Sequence, residues 1–336
     1  METPAVETGV VVKLDRGFPL VRLGDGRELR CEHATSLVKG SDQRAVVGDV
    51  VRISLPDGHD KGIIEETLPR RTSFVRKDPT ERALPQTLAA NFDLVIIAQP
   101  IEDINTRRLE RELVLAHETG AEVLVVLTKA DLMASPAEVE EVRSHIDGFV
   151  GNDELLAISD RDEASVQRLA QIIAEGDKTA VLIGRSGVGK SSLVNMLVGS
   201  DIQKTTAVRG DGKGRHTTVS REIIYLPTGG RIIDMPGVRG LGLWDADEGI
   251  GAAFSDIEEI ASSCRFRDCT HTNEPGCAVR AAVESGDLAA ERLESYGAFA
   301  AVEDILAEGV KNRETKRSFR CATILCAISH HGMLFF

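Results

Sequence analysis

The stretch GRSGVGKS, Gly184 to Ser191, carries the residue types that bind a nucleoside triphosphate, in the order that chemistry needs. Glycines let backbone N–H groups wrap phosphates in conformations that a side chain would obstruct. The helix expected to begin near Gly189 points its positive end at the anion. Lys190 then places an ammonium on the β- and γ-phosphates, a catalytic position, and the Ser191 hydroxyl is a ligand for Mg²⁺. Gly184, Arg185, Ser186, Gly187, Val188, Gly189 and Ser192 complete the expected cradle. The loop follows the apolar run AVLI and opens a helical stretch, which is the context the motif requires.

Three further stretches choose the nucleotide. DMPG, Asp234 to Gly237, ends the run RIID and fits the D-x-x-G of GTPases. In such a motif the Asp holds Mg²⁺ and the Gly amide senses the γ-phosphate. GDGKGRHTT lies before it, polar and glycine-rich as a switch segment must be, with Thr217 or Thr218 as a second hydroxyl on Mg²⁺. Thr218 is preferred. TKAD, Thr128 to Asp131, ends the run EVLVVL. Asp131 can accept from guanine N1–H and the exocyclic N2 amine. Adenine would leave that carboxylate unpaired, at a cost of roughly several kcal/mol. The stem of Lys129 can cover the base, and AISD (157–160) supplies Ser159 beside the guanine oxygen. In ordinary GTPases the phosphate loop precedes the base reader. Here it follows, so a circular permutation of the GTPase fold is expected.

The elements that must position these residues are legible as runs. GVVVKL, FPLVRL, GRELRCE, GDVVRISL and KGIIEETL are short β-rich segments between residue 8 and about 67, spaced as in an OB-fold barrel. RRTSFVRKDP reads as a basic exit strand and linker, its Arg70, Arg71, Arg76 and Lys77 either a solvated face or a phosphate contact. From about 90, strands alternate with helices: DLVIIAQ, EVLVVL, AVLIG, EIIYL and RIID, with helical spacing in RRLERELVLAHETG, PAEVEEVRSHID and GKSSLVNMLVG. That is a doubly wound α/β domain with a largely parallel sheet. The expected division is an OB-fold RNA-binding domain over 1–75, the permuted GTPase domain over 76–243 and a helical zinc domain over 244–317. An atypical apolar tail, 318–336, closes the chain.

CRFRDCTHTNEPGC sets Cys264, Cys269, His271 and Cys277 within fourteen residues. Three thiolates and one imidazole complete a tetrahedral Zn²⁺ shell with no open position, so one structural zinc per chain is expected. The tail repeats a metal-like composition at Cys321, Cys326, His330 and His331, but an apolar tail that is disordered, or that docks on its own chain, is the preferred reading there.

Charge bears on partners. The net charge of −13 argues against a general attraction to nucleic acid. It is unevenly placed, since residues 1–80 carry 13 basic and 13 acidic side chains. Any phosphate-backbone partner is therefore best sought there, or at Lys204, Arg209, Lys213 and Arg215 in the switch. No run approaches the roughly 20 apolar residues of a membrane span. METPAVETGV has no leader-like character, and the cytoplasm is the expected compartment.

With TKAD, GRSGVGKSSLVN, GRHTT, DMPGV and CRFRDCTHTNEPGCAV in that order, the chain resembles the circularly permuted GTPases dependent on the small ribosomal subunit, of the ribosome biogenesis GTPase A type. The resemblance spans about residues 8 to 300. It implies an OB-fold, a permuted GTPase domain and a C-terminal zinc domain. It also implies a monomer that exchanges GTP and GDP, binds the small (30S) subunit and its rRNA late in assembly, and hydrolyses GTP faster there. Thr128 departs from that family, whose base reader carries Asn. The shorter hydroxyl is expected to brace the phosphate loop less well. Val238 stands where many GTPases carry the Gln that orients the attacking water, so slow intrinsic hydrolysis is expected. His216 is the candidate to orient that water, with packing or an RNA contact as its alternative role. The competing functions are a GTP-dependent regulatory switch for another RNA or protein, and a zinc-stabilised RNA-binding scaffold with a vestigial nucleotide site.

Overall fold

The computed structural model describes residues 6–15, 18–40, 44–56, 60–77, 85–151, 153–199, 221–235, 253–267 and 269–299. The expectations for Thr217, Thr218, His216, Gly237, Val238, the switch cations and residues 318–336 lie outside them.

Five strands close the N-terminal barrel: β1 (Val6–Asp15), β2 (Phe18–Leu23), β3 (Glu28–His33), β4 (Val50–Ser54) and β5 (Gly62–Thr67). Their order is β1-β2-β3-β5-β4, with β4 returning to β1. The short helix α1 (Thr35–Gly40) lies between β3 and β4. This is the connectivity of an OB-fold. Alternation places Val11, Val21, Cys31, Val51, Ile53 and Ile64 in its core, each fully buried. Burial pushes the Cys31 thiol up to about 11, so it packs as a small apolar group.

Arg70 belongs to this construction. Its guanidinium pairs at 2.7 and 2.8 Å with both oxygens of Asp49, which is fully buried, and its Nη1 donates to Thr87 at 2.9 Å. It is therefore a bracket, whereas Arg71 stays largely exposed. The linker is also more than a single exit strand: β6 (Ser73–Lys77) forms an antiparallel hairpin with β7 (Pro85–Ala90).

The α/β sheet runs β10-β9-β8-β11-β13-β12, from β8 (Leu94–Pro100), β9 (Glu122–Thr128), β10 (Glu154–Ala157), β11 (Thr179–Ile183), β12 (Arg221–Tyr225) and β13 (Arg231–Asp234). The strands from β10 to β13 pair in parallel, and β12 joins antiparallel. All seven residues of β8 and all five of β11 are buried, as sheet centres covered on both faces require. Ile96, Leu124, Val126 and Leu182 form their core with Leu169 and Ile173 of α4 (Glu163–Ala174) and Leu193 and Leu197 of α5 (Lys190–Val198). Beyond β12 the sheet does not end. β12 pairs with β1 at Lys13↔Glu222 and Leu14↔Arg221, so barrel and α/β sheet form one run of eleven strands.

A second compact unit gathers, of the described residues, 105–118, 144–151, 153, 253–267 and 269–299. It holds α2 (Thr106–His117), the end of α3 (Pro136–Val150), α6 (Ser255–Ala261), α7 (Ala278–Ser285) and a helical stretch at 290–299. Arg292 ties four of these together at 1% exposure. It donates to both Asp256 oxygens at 2.6 and 2.7 Å, to Phe149 O at 3.1 Å and to Ala253 O at 2.8 Å. Its plane lies 4.8 Å above the Phe254 ring. Glu110 of α2 stands 3.5 Å from Nη1, equally buried, and burial pushes its carboxyl up to about 7. Among the described residues, no helix is long and apolar enough to cross a membrane.

Candidate functional site

The phosphate-loop sequence lies where β11 ends and α5 begins. Its backbone needs glycine at three described points, Gly187 with φ +86° among them. Gly184 has φ +131°, and a Cβ there would meet Ala98 O at 2.5 Å. Gly189 precedes α5 with φ +98°, a left-handed conformation that side chains rarely adopt. Lys190 folds back over the loop, its Nζ donating to Gly184 O at 2.5 Å and Arg185 O at 2.7 Å. Arg185, Ser186, Gly187 and Ser192 are exposed, whereas Val188 is buried.

The TKAD loop meets this loop directly. Thr128, 5% exposed, gives its single hydroxyl proton to Val188 O at 2.6 Å across sixty positions of sequence. Thr128 thus braces the phosphate loop directly. The hydroxyl reaches because Gly189 lets the loop approach, its Cβ position lying 3.7 Å from Thr128. Lys129 has φ +61°, an uncommon conformation for a residue with a side chain. Its Nζ sits 3.0 Å from Glu102 Oε1, while Asp103, the next residue, pairs with Arg185. Neither carboxylate belongs to a motif, and only the adjacency of two acids after a buried strand could have pointed to them.

AISD arrives at the same strand ends. Ala130 N donates to Ile158 O at 3.1 Å, which fixes the Asp131 loop beside Ser159. The Ser159 hydroxyl accepts from Arg161 N at 3.0 Å, and Arg161 Nε lies 4.0 Å from Asp131 Oδ2. Asp131 keeps 13% of its side chain exposed, a mostly covered carboxylate with one distant cation.

Asp234 ends β13, next to β11 and its phosphate loop. Burial pushes its carboxyl above the ordinary range, Glu222 adds to that, and Lys190 opposes it. A hydroxyl at Ser191 and a carboxylate at Asp234 are hard oxygen donors of the kind Mg²⁺ takes.

In the second unit Cys264, Cys269, His271 and Cys277 bring their ligating atoms within 4.8 Å of one another. Cys264 Sγ lies 3.9 Å from Cys277 Sγ and 3.7 Å from His271 Nδ1, which is 3.4 Å from Cys277 Sγ. A tetrahedral shell with metal–sulfur bonds of ~2.3 Å has sulfur–sulfur edges of ~3.8 Å, so the four can hold a metal ion. Backbone N–H groups of Ala278 and Arg280 point at Cys264 and Cys277, as thiolates favour. Glu274 shapes the intervening turn: the Thr270 hydroxyl and the amides of Thr270, Thr272 and Asn273 hold its carboxyl down to about 2.

A phosphate loop whose partner loops reach it from earlier in the chain, on one parallel sheet behind an OB barrel, defines a circularly permuted P-loop GTPase. Comparison with known proteins agrees. A family model described as RsgA GTPase matches residues 67–244. "Small ribosomal subunit biogenesis GTPase RsgA" of Streptomyces avermitilis is 43% identical over 86% of this chain and 77% of its own. Its namesake in Streptomyces coelicolor is 44% identical over 86% and 78%. Among solved structures, YjeQ from Thermotoga maritima superimposes with TM-score 0.65 at 26% identity, covering 87% of this chain and 96% of that one. YloQ, titled a circularly permuted GTPase, shares the fold at 0.64 and 24%, over 94% and 98%. The chain belongs to the RsgA GTPase family and is a GTPase.

Proposed function

We propose that this GTPase is a late assembly factor of the small ribosomal subunit, binding its rRNA and hydrolysing GTP when the subunit stimulates it. The observation that carries this is the 43% identity, across 86% of the chain, with a protein bearing that biogenesis name. In this reading residues 1–75 face RNA, 76–243 turn over GTP and 244–317 form the zinc domain. The protein acts as a monomer in the cytoplasm.

Asp131 accepts from guanine N1–H and N2–H, Lys129 covers the base, and Ser159 and its neighbouring amides meet the guanine oxygen. Thr128 holds the phosphate loop at the right distance from that base through Val188. Lys190 leaves the carbonyls of Gly184 and Arg185 for the β- and γ-phosphates, as the loop amides from Arg185 to Ser192 wrap them. Ser191, Thr218 and Asp234 hold Mg²⁺, which neutralises charge on the phosphates when bound. Gly237 senses the γ-phosphate. His216 orients the water that attacks the γ-phosphorus, and GDP leaves. Cys264, Cys269, His271 and Cys277 hold one zinc, which fixes the fold of the knuckle and leaves no open position for chemistry.

One feature favours the second reading, a regulatory switch with a protein partner. Lys13, Arg22, Arg27, Arg30, Arg52 and Lys61 of the barrel each already have a carboxylate partner. RNA must displace those acids, whose release takes up counterions, so subunit binding should weaken less with salt than the number of cations suggests. GTP turnover measured with purified small subunits, large subunits and neither decides between the two. Stimulation by small subunits alone is expected, and its loss in His216→Ala with GTP affinity intact. Equal turnover in all three mixtures would end the ribosomal assignment.

A further inference from the structure

Directly opposed residues on antiparallel strands project from the same face of a sheet. Lys13 of β1 opposes Glu222 of β12, and Glu222 opposes Asp234 of β13. The three side chains therefore stand in one row. It starts on a barrel strand and ends on the carboxylate assigned above to the nucleotide site. Lys13 Nζ donates to Glu222 Oε2, and the two side chains are 32% and 34% exposed. Asp234 feels Glu222 on one side and Lys190 on the other.

We propose that Lys13 and Glu222 are positioning residues for the bound nucleotide: the barrel's Lys13 ties the Glu222 carboxylate into the cross-strand row, so that it stays off the metal–phosphate group and Asp234 alone presents negative charge there. This rests on the assignment of Asp234 to that site. Glu222 is otherwise misplaced, because a carboxylate beside a polyphosphate pocket repels the ligand. Two charges several ångströms apart at a half-exposed surface change affinity by about fivefold at an effective dielectric near 40 to 60. Lys13 prevents that repulsion by holding the carboxylate, and it does so from a different domain of the fold.

The test uses the full chain and fluorescent GDP, with affinity measured in Mg²⁺ and in EDTA, and a thermal melt for each variant. Lys13→Met should weaken GDP binding about fivefold. Glu222→Gln should tighten it about twofold. The double variant should match Glu222→Gln, and Lys13→Arg should match the native chain. Glu222→Gln preserves volume and cross-strand packing, so it reports even if Lys13→Met folds poorly. Unchanged affinity in Glu222→Gln overturns the proposal. So does a Lys13→Met effect that persists in the Glu222→Gln background, which would mean that Lys13 attracts the ligand by its own charge. Asp234→Asn separates the two layers. If Mg²⁺ dependence vanishes there while the Lys13–Glu222 effects simply add, only the present proposal fails. If Mg²⁺ dependence survives, the assignment of Asp234 fails and takes the route with it.

Discussion

Replacing Glu110 by Gln should stabilise the protein, and increasingly so as pH rises. Arg292 already gives two hydrogen bonds to Asp256, so its charge is matched before Glu110 is counted. Glu110 is then a surplus buried carboxyl, raised to about 7 from an ordinary 4.5. The folded chain keeps its proton between those values and the unfolded chain does not. Its contribution is therefore fully present below about pH 4.5 and is lost as pH climbs through about 7. The linked cost reaches about 3 kcal/mol above pH 8, and relaxation around the charge would bring it nearer 1.5. Glutamine keeps the shape of the protonated acid and cannot ionise. Urea unfolding of native and Glu110→Gln protein, followed by far-ultraviolet circular dichroism at pH 5 and pH 8, reads the difference. A gap that widens by about 1.5–3 kcal/mol towards pH 8 is expected. A gap independent of pH, or a variant less stable at pH 8, would show that ionised Glu110 pairs productively with Arg292.

The nucleotide and metal sites give three more expectations. Thr128→Ala removes the bond to Val188 O, and a loss of about 1–1.5 kcal/mol, roughly tenfold in GTP affinity, should appear in calorimetry. Asp131→Asn should exchange guanine for xanthine preference, with GTP binding weakened on the order of a hundredfold; competition between GTP and xanthosine triphosphate checks it. Cys264→Ser should drop zinc from one atom per chain, measured by atomic absorption, and melt residues 253–299 in hydrogen exchange while fluorescent GDP still binds. GDP binding lost together with the metal would place the metal's role elsewhere.

The motifs were legible because each names its own chemistry: no other use requires Lys190 and Ser191 in that register after a buried strand. The barrel strands and most sheet strands showed as β-rich runs bounded by turn residues. β10 escaped notice because four residues carry little pattern, and β7 because Pro85-Gln-Thr-Leu-Ala-Ala is poor in β-formers. Arg70 was read with its basic neighbours, since an arginine clamped on Asp49 and one in water look alike locally. The partner that decides lies twenty-one positions away. Arg292 and Glu110 were invisible for the same reason at longer range. That Thr128 reaches the phosphate loop was not legible, because the approach of the loop at Gly189 sets that distance. The joining of β1 to β12 has no trace in the sequence, because both strands read as complete without it.

That joining makes the catalytic portion hard to excise. Cutting away the barrel would remove β1 from Arg221 and Glu222 and leave that end of β12 with bare amides and carbonyls. An uncovered flank of that kind recruits other chains. A truncated enzyme should therefore self-associate as its concentration rises, and kinetics taken on such a fragment would describe the clump rather than the machine.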